Sequence, residues 1–127
     1  MAEGLLRDRC GDRYEVFSAG VAPVRLNLHT IKVMQEIDID ISQHIPASIY
    51  QYRTINIDYI VTLSDEARPI AEGVLSPKEK VFCKGFASPS EIGRDREEIV
   101  ADFRKLRDAI DTYLSEIFPD CPQKRKK

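Results

Sequence analysis

The run Asp58-Tyr59-Ile60-Val61-Thr62-Leu63 restricts the fold more than any other segment. It sets four large apolar side chains and a threonine between Asp58 and Ser64-Asp65, leaving no polar face to turn toward water. A run of this kind suits a strand buried in a parallel sheet, and parallel strands require long crossover connections, usually helices.

The flanking sequence supplies those helices. Ala2 to Arg9 carries good helix formers and stops at Cys10-Gly11-Asp12, which predicts a short helix closed by a glycine cap. Tyr14-Glu15-Val16-Phe17-Ser18 is β-branched and aromatic and predicts a strand, followed by a loop from Val21 to Leu26 that contains Pro23. Asn27 can cap a helix whose apolar positions are Leu28, Ile31, Met34 and Ile37. Pro46 biases Ile45 toward extended structure and can start a short helix.

Beyond the apolar run, Glu66 to Glu72 predicts one or two helical turns, and Lys80-Val81-Phe82-Cys83 a short strand. Gly85-Phe86-Ala87-Ser88-Pro89 has loop chemistry. Ile99, Phe103, Leu106, Ile110, Tyr113, Leu114 and Ile117 then fall on one face at helical spacing, and the helix must end before Pro119. Alternating helices and strands define an α/β protein, with a parallel sheet between two helical layers. The expected domain covers 1–118, and 119–127 is a basic tail that builds no core.

Several function classes are excluded at this level. With 21 acidic and 19 basic residues the net charge is −2, so no global field draws in nucleic acid or an anionic membrane. No apolar run is long enough to span a bilayer, and the N-terminal residues lack a signal-peptide pattern, so the expected location is cytoplasmic. Cys10, Cys83 and Cys121 are odd in number and widely spaced, which indicates neither a disulfide framework nor a structural zinc site. Each reads as a small buried hydrophobe. His29 and His44 read as surface or helix-end residues. Asp65-Glu66 and Glu97-Glu98 read as capping and dipole partners near helix starts.

Five strings, in order, resemble the low-molecular-weight protein tyrosine phosphatase superfamily. They are Met1-Ala2-Glu3-Gly4-Leu5-Leu6-Arg7, Phe17-Ser18-Ala19-Gly20-Val21, Ile31-Lys32-Val33-Met34 with Asp38-Ile39-Asp40-Ile41-Ser42, the run Asp58–Leu63, and Gly85-Phe86 before Pro89. The likeness is greatest to the thioredoxin-coupled arsenate reductase branch. The resemblance implies a four-stranded parallel sheet of order 2-1-3-4 and a C-x5-R loop between the first strand and first helix. In such a loop, backbone N–H groups and the helix N-terminus bind the oxyanion, a cysteine thiolate attacks it, and the arginine holds two oxygens. An aspartate on a later loop acts as general acid.

The departures decide what to expect of this chain. Met-Ala-Glu-Gly follows the catalytic arginine in the family, so the first strand and its loop are expected to be missing. No copy is displaced elsewhere, because the sixth residue after Cys10 is Val16, after Cys83 Pro89 and after Cys121 Lys127. The family's general-acid position is Ser88, and its first redox-cysteine position is Ser64. Ser18, by resemblance, supports the catalytic loop; in the residues themselves it is a strand-end serine suited to a turn. The resemblance therefore leads to a family member without catalytic residues, metal or cofactor, inactive in phosphomonoester hydrolysis and arsenate reduction. The alternative is a non-catalytic interaction or regulatory module on the same scaffold. A sheet lacking its central strand would leave backbone groups unpaired, so a homodimer or rearranged pairing is the expected remedy. No other protein partner follows from the sequence.

Overall fold

A computed structural model describes residues 1–20, 27–87 and 89–121, whose elements run α1 (Ala2–Cys10), α2 (Leu28–Gln35), a 3-10 turn (Ile49–Tyr52), β1 (Ile57–Thr62), α3 (Ala67–Val74), β2 (Pro77–Cys83) and α4 (Arg96–Ile117). Helices with a parallel strand pair fit the α/β class. The described residues form two compact units, one from 1–17, 27–45 and 89–121, the other from 18–20 and 46–87. The loop assigned to Val21–Leu26 and the basic run from Lys124 to Lys127 lie outside the described residues.

The first unit is built on α4. Asp95 caps it by accepting from the Glu98 N–H at 2.9 Å, and Ile99, Val100, Phe103, Ile110, Tyr113 and Leu114 are buried along one face. Both α1 and α2 pack on this helix. The expected stripe on α2 holds at Met34 and is corrected elsewhere. Asn27 caps the helix as predicted, accepting from the His29 N–H at 2.8 Å, but Thr30, Val33 and Met34 are buried while Leu28 is 80% exposed. Val33 packs with Ile99, Val100 and Phe103. Leu28 lies on the side of α2 opposite Thr30, Val33 and Met34, so its hydrophobicity misleads.

Arg107 interrupts the apolar face of α4 and is buried. Its Nη1 donates to the Val33 carbonyl at 2.8 Å and to Glu36 Oε1 at 3.1 Å, so the C-terminal end of α2 receives both a donor and a cation. Arg104 grips the same carboxylate with two nitrogens, at 2.8 and 2.7 Å. The Arg104 hydrogen bond, helped by both guanidinium charges, holds Glu36 below the ordinary glutamate value.

Two expectations fail in this unit. Tyr14–Ser18 is not a strand. A strand persists only in a ladder, and here Arg7 Nη2 donates to the Val16 carbonyl at 2.7 Å while Tyr14 packs on the Phe118 ring at 5.4 Å. The cysteine reading is corrected too: Cys10 and Cys121 form a buried disulfide across 111 residues, with Cα atoms 5.3 Å apart. Sequence spacing carries no information about this proximity, which arises where the end of α1 meets the chain leaving α4. Arg9 reinforces the junction, donating to the Cys121 carbonyl at 3.2 Å and to Asp111 at 2.9 Å. Cys121 therefore belongs to the core, against the expectation that nothing beyond Pro119 would.

The second unit is a β1–α3–β2 crossover. β1 and β2 are parallel, with Ile60 opposite Val81 and Thr62 opposite Cys83. Pro77 opens β2, where its missing N–H costs least. Ile49, Ile60 and Ala71 form the core, with Ile57, Val74, Leu75 and Val81 packed around it. The turn after Pro46 becomes the 3-10 segment, capped by Ser48, which accepts from the Tyr50 N–H at 3.3 Å. Gly20 pairs with Ser48 in an isolated parallel bridge.

Reducing the disulfide, or making Cys121→Ser, should lower unfolding free energy by about 2–5 kcal/mol, because the bond closes a very long loop. Urea denaturation with and without dithiothreitol measures this. The depressed Glu36 value stabilises the fold above the ordinary glutamate value, and that stability is lost as pH falls through the folded value. Glu36→Gln should flatten stability against pH over that acidic interval, as followed by urea midpoints.

Candidate functional site

The crossover places three chemically distinct groups at one end of the strand pair. Because β1 and β2 are parallel, both carboxyl ends lie together, and α3, which follows β1, begins there. In open α/β sheets this end is where ligands bind. The pairing continues past the strands: Lys84 N–H donates to the Thr62 carbonyl at 3.1 Å, and Phe86 N–H donates to the Leu63 carbonyl at 2.8 Å. The Gly85-Phe86 loop is thus tied to the end of β1, and a Cβ on Gly85 would lie 3.4 Å from Asp65 Oδ2.

Thr62 is only 5% exposed, and its hydroxyl finds no hydrogen-bond partner among the described residues. Its register partner is Cys83, the free cysteine, which is half-buried. Arg68, in the first turn of α3, donates through Nε to Glu72 at 2.8 Å and lies within electrostatic reach of Cys83. The Glu72 hydrogen bond and charge raise the Arg68 guanidinium above its ordinary value, with Cys83 adding a smaller contribution.

Ser64, the expected redox-cysteine position, has a structural part here. Its hydroxyl accepts from the Ala67 N–H at 3.3 Å and so caps α3, a task that Asp65 and Glu66 were expected to perform. Ser18 lies in the same unit, two residues before the Gly20 bridge. Ser88, the expected general-acid position, lies outside the described residues.

The histidines belong to the first unit, each beside a carboxylate: His29 Nε2 is 3.1 Å from Glu91, and His44 Nδ1 is 3.3 Å from Glu3. A groove of about 470 Å³ there is lined by Glu3, Arg7, Asp38, Asp40 and His44. Of its acids, Glu3 is committed to Arg7 and His44, and Asp40 to Ser42, whose hydroxyl and N–H hold the Asp40 carboxyl below its usual range. No group of three metal-ligating side chains occurs among the described residues.

Thr62 and Arg68 were missed in the sequence. The one available signal was a threonine at an inward position of an otherwise apolar run, together with the Arg68/Glu72 spacing of four.

The profile described as "Low molecular weight phosphotyrosine protein phosphatase" matches residues 1–126, and the chain belongs to that family. Within it, the chain is similar to proteins named arsenate reductase. It is 37% identical over 110 residues to one from Halalkalibacterium halodurans, covering 87% of this chain and 78% of that protein. It is 34% identical over 116 residues to one from Bacillus subtilis, covering 91% and 83%. For arsenate reductase 1 of Staphylococcus epidermidis the figures are 34% over 118 residues, 92% and 86%.

Thr62→Val should raise stability by about 1 kcal/mol, since it replaces a buried, unpartnered hydroxyl with a methyl group of similar shape. A shift of the urea midpoint to higher concentration, with unchanged slope, is the expected result.

Proposed function

We propose that these 127 residues carry the phosphatase and arsenate reductase scaffold without its catalytic chemistry. They neither hydrolyse phosphomonoesters nor reduce arsenate. The observation that supports this most directly is the absence of C-x5-R anywhere in the sequence. Two of the three cysteines are also held together in a disulfide, so neither is available as a catalytic thiolate. At Ser64 a hydroxyl serves as a helix cap, and at Ser88 a hydroxyl replaces the acid, which it cannot do as a carboxylic acid does.

A second reading keeps the same scaffold and assigns it a non-catalytic interaction or regulatory role in the cytoplasm. It is favoured by the two-stranded sheet formed by the described residues, where the resemblance implies four strands. Thr62 points its carbonyl at β2, so the Val61 N–H and C=O point to the other side of β1. A strand from a second copy of the chain could pair along that side, completing the sheet as a homodimer.

The chain should show no turnover of an aryl phosphate, and no arsenate-dependent oxidation of thioredoxin, above a heat-denatured control. Turnover that survives repurification would overturn the proposal. Sedimentation velocity should give a dimer; a well-folded monomer at low concentration would remove the strand-exchange reading while leaving the catalytic one standing.

A further inference from the structure

We propose that Cys83 is a thiol-modification site that forms a mixed disulfide with a low-molecular-weight anionic disulfide, of the glutathione disulfide class. The inference does not depend on the proposed function. It rests on three features of one place in the fold.

The first is chemical availability. Of three cysteines, Cys10 and Cys121 are joined and buried, leaving Cys83 as the only thiol, half-buried at the carboxyl end of β2. The second is Arg68, in the first turn of α3 at the same end of the strand pair, whose charge acts on Cys83 and whose side chain is 54% exposed. A guanidinium at this position offers a charge-assisted hydrogen bond to a carboxylate carried by an incoming disulfide.

The third feature is the Thr62 hydroxyl. Residues in register on parallel neighbours leave the sheet on the same face, so Thr62 and Cys83 project together. Thr62 shares that face with buried Ile60, two residues earlier. A buried hydroxyl without a partner is costly to keep, and valine would fill the same space. An added sulfur at Cys83 would bring an acceptor to this donor.

The exchange balances without further reagents. The Cys83 thiolate, its proton having passed to water, attacks one sulfur of the incoming disulfide. A bond forms between Sγ and that sulfur, the original S–S bond breaks, and its electron pair leaves on the second sulfur as a thiolate. Cys83 is oxidised and half of the small disulfide is reduced. A dithiol reductant reverses the step by the same exchange.

The test uses the full chain, incubated separately with glutathione disulfide, which is anionic, and with cystamine, which is cationic. Adduct formation is followed by intact-protein mass spectrometry, and folding of each variant by circular dichroism. The native chain should gain one glutathione adduct, absent in Cys83→Ser, and form it about two- to fivefold faster than the cystamine adduct, the range open to an exposed charge pair. Arg68→Gln should abolish that preference while leaving the fold intact. Thr62→Val should slow adduct formation although the protein is more stable, and Thr62→Ser should restore the rate. The proposal is overturned if the folded chain gains no adduct, if the adduct maps to Cys10 or Cys121, or if the Arg68 and Thr62 variants react like the native chain.

Discussion

Two parallel strands cannot be joined by a tight turn, and the chemistry of the second unit follows from that constraint. To run β2 alongside β1 in the same direction, the chain must return its full length, which α3 does. The carboxyl ends of both strands and the start of α3 are thereby brought together. Thr62, Cys83, Arg68 and the Gly85-Phe86 loop meet there although they are spread over more than twenty positions of sequence. A hairpin would have put Thr62 beside the beginning of the second strand and left Cys83 at the far end.

In the first unit the organising element is the apolar face of α4. It buries α1 and α2 on one helix, and its two polar interruptions are satisfied rather than tolerated. Arg107 spends its donors on the end of α2, and Asp111 receives Arg9. The Cys10–Cys121 bond closes the same unit between its first and last described elements. That bond also bears on function. It withdraws two sulfurs from solution chemistry and leaves Cys83 as the one free thiol.

The site was legible in part. The positions of β1, the crossover helix and β2 were evident from apolar runs and breakers, but β1 is not buried on both faces as expected: only Ile60 and Thr62 are buried, on one face. Ser64 was singled out for what it lacks relative to the family, and its hydroxyl proves to cap α3. Thr62 was counted among the residues of an apolar run without a role. Its significance depends on having no partner, which is a property of the surroundings and not of the residue. The segment Tyr14–Ser18 failed for a related reason: β propensity describes a side chain's fit to a pleated surface, and no ladder receives this one.

The sequence alone determined the class of the protein. Helical spacing located α4, an apolar run located β1, and five ordered strings identified the family that the comparisons show. It also determined which catalytic elements the 127 residues contain, since C-x5-R is a statement about order along the chain. Only the tertiary structure decided which cysteines pair, which face of α2 is buried, and what stands beside Cys83. Those are questions of distance between residues remote in sequence, and local propensity carries no information about such distances until the crossover and the helix packing bring them together.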